Sequence, residues 1–225
     1  MDSSAAYILN IETATTNCSV SLSKGGEILV LKEDHSLNYS HAESLHVFIE
    51  DVLKSAHIEP ARLNAVAVSK GPGSYTGLRI GVSAAKGLCY ALNIPLISVN
   101  TLQSLAYKVE SGLGYIIPML DARRMEVYSA IYNSEHQQIR ETEAQILDTF
   151  SFKAYLDTDK VYFIGNGVEK AKTLIDHPNA VFVENVLPSA HQLGQLAYDK
   201  YKKNDTEDVA YFEPFYLKEF IGLKS

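Results

Sequence analysis

The sequence predicts an α/β protein built from two similar halves, each with a mixed β-sheet. Short apolar or β-branched segments typical of strands alternate with longer segments whose apolar residues recur every three to four positions. The order of strands, helix and strand recurs in degenerate form after Ser111 and Gly112. An internal duplication explains both observations.

Three strands and a helix open the first half. Segments 7–13 and 18–23 read as strands, and the Gly25–Gly26 turn leads into a third antiparallel strand. From 40 to 58 the apolar residues follow helical spacing, and Pro60 closes this helix.

A short β-branched segment at 63–70 predicts a buried parallel strand. The glycine-rich turn 71–77 connects it to a long helix at 78–92, and strand 94–100 follows. Another helix starts near Thr101.

The second half repeats this order more weakly. Its strands are predicted at 115–122, 125–133 and about 137–147, a helix near 150–156, and a strand at 160–167 that runs into a helix.

We expect an N-terminal domain at 1–105 and a C-terminal domain at 106–225, with a cleft between them. The last helix, about 188–204, is a candidate for docking back on the N-terminal domain.

The composition sets limits on function. The chain has 225 residues, 46% apolar and 21% charged, which is ordinary for a globular protein and argues against disorder. Its net charge of −7 argues against independent binding of nucleic acid, so any RNA would be held mostly by another subunit. Cys18 and Cys89 suggest neither a zinc site nor a disulfide framework. Without a signal peptide or an apolar run of about 18 residues, the expected location is the cytoplasm.

The turn GPGSYTG is the most informative local motif. It lacks the Lys-Ser/Thr of a phosphate-binding P-loop and the glycine spacing of a dinucleotide fingerprint. Backbone N–H groups at the start of a helix still favour an anion, while the glycines alone would also suit a tight turn. Candidate anion or tRNA contacts are Gly71, Gly73, Ser74 and Arg79. Arg79 could equally anchor a partner's carboxylate or start the helix in solvent.

The helix at 78–92 is apolar or small nearly all round, although a crossover helix should have one side in water. We therefore expect a partner chain to cover its second face, the alternative being the chain's own helix at 40–57. Gly81→Arg is expected to break such a contact and leave the fold intact. The candidate partner-binding residues are Leu45, Ile49, Gly77, Gly81, Ala84 and Leu88.

These segments together resemble two paralogous families of bacterial threonylcarbamoyladenosine biosynthesis, TsaD and, more closely, TsaB (YeaZ). The resemblance rests on the segments ILNIETATTNCSVSL, GPGSYTGLRIGVSAAKGL and IPLISVNTLQSLA. Three further segments are similar more weakly: LDARRMEVYSAIY, FIGNG and FEPFYL. It implies a duplicated actin/Hsp70/sugar-kinase-like fold, also called ASKHA or ribonuclease H-like, with mixed sheets.

The resemblance also implies a non-catalytic subunit. It would pair with a TsaD-type paralogue, help a TsaE-type ATPase engage, and support transfer of threonylcarbamoyl to N6 of adenosine 37 in tRNAs reading ANN codons. The apolar face further predicts a homodimer when the partner is absent. Contact with tRNA would come through the complex, and no membrane is involved.

The TsaD pattern carries H-x-x-x-H for its catalytic metal, and this sequence has Thr101 and Leu105 at those positions. Leucine cannot ligate a metal and threonine is a weak ligand, so no metal and no intrinsic protease activity are expected. His41 and His46 are five residues apart, about 140° around a helix, which does not suit a shared ion. No cofactor of its own is expected; ATP or ADP and a metal would belong to partner subunits.

The alternative is an ATP-dependent phosphotransferase or hydrolase of the same superfold, using its interdomain cleft. Glu12 and Thr13 lie in the first hairpin, where that superfamily contacts nucleotide phosphate, and Glu12 could manage Mg²⁺. Asp121 and Arg123 mark a second place for such a site.

Overall fold

The computed structural model describes residues 5–34 and 41–218 and gives the predicted α/β fold. His35 and the side chain of His41 lie outside the described residues. The chain forms two compact units. One contains the described residues up to Thr101 and from Ser189 onwards, and the other contains Leu102–Pro188.

The sheet of the first unit has five strands in the order β3-β2-β1-β4-β5. β1 pairs antiparallel with β2 and parallel with β4, so the sheet is mixed, as predicted. The strands are β1 (Tyr7–Glu12), β2 (Cys18–Lys24), β3 (Glu27–Asp34), β4 (Ala65–Ser69) and β5 (Leu96–Val99).

Two helices cover one face of this sheet: α1 (His41–Ser55) and α2 (Tyr75–Leu92). Strand side chains alternate between faces, so Leu9 and Ile11 pack with these helices while Ile8 points to the other side. α2 begins where the Ser74 hydroxyl accepts a hydrogen bond from the backbone N–H of Gly77. A short helix, α3 (Thr101–Ala106), follows β5.

The second unit repeats the same arrangement. Its strand order is β10-β9-β6-β7-β8, with two antiparallel pairs and two parallel pairs. The predicted duplication therefore extends to the sheet topology. The elements are β6 (Tyr115–Asp121), β7 (Glu126–Tyr132), β8 (Gln138–Ile146), α4 (Lys153–Leu156), β9 (Val161–Ile164), α5 (Val168–Leu174) and β10 (Ala180–Val183).

The last helix, α6 (Ala190–Lys202), packs on the second face of the first sheet. Two serines of β2 hold its first residue: Ser21 Oγ donates to the carbonyl of Ala190 at 2.8 Å, and the backbone N–H of Ala190 donates to Ser19 Oγ at 3.0 Å. Residues from 189 onwards thus lie in the first unit, although they follow the second unit in the chain.

In the described ranges, none of the helices combines the length and the apolar character needed to span a membrane.

Candidate functional site: the glycine turn and the groove between α1 and α2

The turn between β4 and α2 packs closely against its surroundings. Gly71 has a φ of +109°, and a Cβ there would lie 2.8 Å from the carbonyl oxygen of Phe215. A Cβ at Gly73 would overlap the carbonyl of Ala14. Both glycines are therefore required by backbone conformation and close approach.

Several N–H groups of this turn are already used within the chain. The N–H of Gly71 donates to Thr101 Oγ1 at 3.1 Å, that of Ser74 to the Ala14 carbonyl at 2.7 Å, and that of Gly77 to Ser74 Oγ at 3.2 Å. The N–H groups of Gly71 and Ser74 therefore have partners within the fold, and anion contact at these residues stays a prediction.

Glu12 and Thr13 join the end of β1 to the same turn. Both are fully buried. Glu12 Oε1 accepts hydrogen bonds of 2.7 Å from the N–H of Ala14 and from Ser69 Oγ, and Thr13 Oγ1 donates to the Gly77 carbonyl at 2.8 Å. Neither side chain reaches solvent in this structure, and the nucleotide contact at Glu12 and Thr13 stays a prediction.

The positions that correspond to the H-x-x-x-H metal ligands are also inside the protein. Thr101 is buried at the start of α3, with its N–H donating to the Gly71 carbonyl at 3.0 Å. Leu105 is fully buried in an apolar cluster of the second unit. Across residues 5–34 and 41–218, no three His, Cys, Asp or Glu side chains come together as a metal site would require.

Asp121 and Arg123 lie at the hairpin between β6 and β7, on the surface of the second unit. Asp121 Oδ1 accepts hydrogen bonds from the N–H of Arg123 at 2.7 Å and from Lys170 Nζ at 2.6 Å. The carboxylate therefore holds the hairpin in shape.

Four of the six predicted partner-binding residues are buried within this chain, and their contact with a partner stays a prediction. Leu45 and Ile49 belong to the core of the first unit, with 0% and 7% of their surface exposed. Gly77 and Gly81 are buried against their own chain, and a Cβ at Gly81 would overlap Thr13 Oγ1. These residues lie on the buried sides of α1 and α2 and pack inside the first unit. Gly81→Arg would therefore disrupt the fold, contrary to expectation.

The other two, Ala84 and Leu88, are half-buried and line a groove between α1 and α2. Its volume is about 590 Å³. It is mainly apolar, and its small side chains allow another backbone to approach. The lining residues are Ala42, His46, Arg79, Ile80, Ser83, Ala84, Gly87 and Leu88.

The remaining side of α2 is covered partly by residues 207–216, which we call the C-terminal tail. Lys86 Nζ donates to the carbonyls of Ala210 at 3.2 Å and Phe212 at 2.9 Å. The ring of Phe212 packs against the core cluster that includes α2. Sequence reasoning missed this contact, for which the motif FEPFYL was the available signal.

Two copies of one five-stranded mixed sheet define a duplicated α/β protein of the actin-like superfamily. The chain belongs to the TsaD family, described as tRNA N6-adenosine threonylcarbamoyltransferase, whose family model matches residues 36–219.

Individual relatives agree with this assignment. The chain is 29% identical to the tRNA threonylcarbamoyladenosine biosynthesis protein TsaB of Escherichia coli K12, covering 96% of both proteins. It is 28% identical to TsaB of Bacillus subtilis 168, covering 94% of this chain and 93% of that protein. The solved structure of YeaZ from Pseudomonas aeruginosa matches with a TM-score of 0.83 and 26% identity, covering 94% of this chain and 100% of that chain. The predicted resemblance to TsaB proteins is confirmed.

Proposed function

We propose that this chain takes part in the biosynthesis of tRNA threonylcarbamoyladenosine as a non-catalytic subunit that pairs with a TsaD-type paralogue. The observation that carries the proposal is the match to TsaB proteins of E. coli and B. subtilis along nearly the whole length of the chain. The reaction supported would be transfer of threonylcarbamoyl to N6 of adenosine 37 in tRNAs that read ANN codons.

The non-catalytic role is supported by side-chain chemistry. Thr101 and Leu105 stand where the TsaD pattern has histidines, and a leucine has no atom that can ligate a metal. Glu12, a candidate for managing Mg²⁺ in the alternative hypothesis of a phosphotransferase, is buried and hydrogen-bonded to Ala14 and Ser69. In this proposal ATP or ADP and the metal would be held by the partner subunits.

The groove between α1 and α2 is the proposed surface for the paralogue. Its apolar lining would lose water contact on docking, which favours association. A specific interface of about 1,200–2,000 Å² would suffice to hold the pair. Without the paralogue, the same groove would support a homodimer. The pair would act in the cytoplasm, where it would recruit a TsaE-type ATPase and hold tRNA.

The proposal is tested by Ala84→Arg, which places a long charged side chain in the groove from a half-buried position. The matched control is Ala91→Arg, the same substitution at an exposed position of α2 outside the groove. Each purified variant is mixed with the TsaD-type paralogue of the same organism, and complex formation is measured by sedimentation velocity.

We expect Ala84→Arg to abolish the complex at micromolar concentrations and Ala91→Arg to leave it intact. Circular dichroism establishes that both variants are folded. Equal binding by Ala84→Arg and the wild type would exclude the groove as the interface. A wild-type chain that fails to bind the paralogue at all would refute the proposed function.

A further inference from the structure

The charges around the groove between α1 and α2 are one-sided. Among the described residues that line it, Arg79 and His46 are the cationic or titratable ones, and none is acidic. α1 exposes Glu43 and Glu50 outside the groove, and Glu50 is already paired with Lys54 at 2.5 Å. Arginine is always protonated in proteins, so Arg79 gives the groove a permanent positive charge.

The Arg79 guanidinium is held in place by aromatic side chains. Its Cζ lies 5.1 Å from the centre of the Tyr75 ring, and Nη1 donates to the Tyr75 hydroxyl at 3.3 Å. The Tyr75 ring in turn packs on Tyr216 of the C-terminal tail, with 4.8 Å between ring centres. A stacked guanidinium loses less conformational freedom when it forms a fork-shaped pair with an anion.

We infer that the segment that fills this groove is a partner helix carrying an Asp or Glu that pairs with Arg79. The inference rests on the proposed function and adds the chemistry of the partner to it. An apolar partner surface would remove the guanidinium from water, which is unfavourable unless a carboxylate compensates the charge. The small lining residues Ala42, Ala84 and Gly87 leave room for the backbone of a helix.

An RNA phosphate fits the groove less well. RNA binding depends on neutralising several phosphates with Lys and Arg. The described residues that line this groove include one arginine and one histidine, and the chain has a net charge of −7. A single, preoriented guanidinium beside apolar side chains instead matches one carboxylate on an otherwise apolar helix.

The test compares Arg79→Ala with Arg62→Ala. Arg62 is a matched control because it is exposed, its Cζ lies 5.5 Å from the centre of the Tyr7 ring, and it does not line the groove. Affinity for the purified TsaD-type paralogue is measured by isothermal titration calorimetry at several NaCl concentrations between about 0.05 and 0.5 M. Tyr75→Leu is included to test the positioning role of that ring.

We expect Arg79→Ala to weaken binding about 30-fold or more and to reduce its salt dependence, because the partner's carboxylate is left buried and unpaired. Tyr75→Leu is expected to weaken binding by a smaller factor and to retain the salt dependence, and Arg62→Ala to bind as the wild type does. If Arg79→Ala changes the affinity for the paralogue by less than twofold and leaves the salt dependence unchanged, this inference is wrong. The proposed function would not be affected by that result. A wild-type chain without affinity for the paralogue overturns both.

Two further measurements address other occupants. If Arg79→Ala weakens self-association of this chain but leaves paralogue binding unchanged, the carboxylate belongs to a second copy and the inference is wrong. If the variant loses tRNA binding by the isolated chain while it keeps paralogue binding, the ligand is a phosphate and the inference is equally wrong. Weaker paralogue binding together with unchanged tRNA binding supports the inference.

Discussion

Gly81→Ala tests whether the face of α2 that is formed by small residues packs inside its own chain. A Cβ at this position would overlap Thr13 Oγ1 and lie 3.4 Å from Thr13 Cβ and 3.5 Å from Ile11 Cγ2. Thr13 cannot move freely, because it is fully buried and its hydroxyl donates to the Gly77 carbonyl at 2.8 Å. A single methyl group therefore forces either the helix or the threonine to shift.

The expected cost follows from three contributions. Overpacking a filled core costs about 1–3 kcal/mol, and loss of a buried hydrogen bond adds about 1–3 kcal/mol. Alanine in place of glycine within a helix returns about 1 kcal/mol. We therefore expect Gly81→Ala to lower the free energy of unfolding by about 3 kcal/mol.

Urea unfolding followed by circular dichroism measures this change. Gly87→Ala is the matched control. Among the described residues, no atom outside the neighbouring part of α2 lies within 4 Å of a Cβ built at Gly87. The control should be neutral or stabilise the protein by up to about 1 kcal/mol. In a Thr13→Ala background, Gly81→Ala should cost at least about 1 kcal/mol less, since the overlapping hydroxyl is gone. The reasoning fails if Gly81→Ala and Gly87→Ala unfold at the same urea concentration.

Two more predictions concern buried thiols and the C-terminal tail. Burial raises the pKa of Cys18 and of Cys89 from 9.0 to about 11, so both thiols should resist a disulfide reagent at pH 8 until the protein unfolds. Because the folded state disfavours the thiolate, the contribution of both thiols to the free energy of unfolding should be fully present below about pH 9 and should fall as the pH rises towards 11. Rapid modification of the thiols in the folded protein would contradict their burial. Lys86→Met removes a cation that holds two tail carbonyls, and chymotrypsin should then cleave at Tyr211, which is 85% exposed, about 10-fold faster or more. Lys203→Met, at an exposed lysine after α6, should leave the cleavage rate unchanged, and equal rates for both variants would show that Lys86 does not secure the tail.

Local patterns predicted most of the fold. Alternating residues in β1 and β2, the turn at Gly25 and the helical spacing in α1 each agree with the structure. β10, a strand of four residues at the edge of its sheet, was not predicted.

The candidate site was predicted less well, and α2 shows why. Helical periodicity places Gly81 and Ala84 on a common small-residue face but does not say what lies opposite each one. In the structure Gly81 meets Thr13 within the chain, whereas Ala84 lines the groove. A rotation of roughly 60° separates the two positions, enough to move a side chain from the core to the surface.

The sequence by itself determined the duplicated α/β architecture, the glycine turn before α2 and the loss of histidines at Thr101 and Leu105, because these depend on residue type and short-range spacing. Only the tertiary structure decided which apolar residues remain accessible and that the C-terminal tail covers part of α2. Lys86 and Phe212 are more than a hundred residues apart, and no local pattern specifies a contact at that separation. Burial depends on the sum of all such contacts, so the accessible surface emerges only when the whole chain is packed.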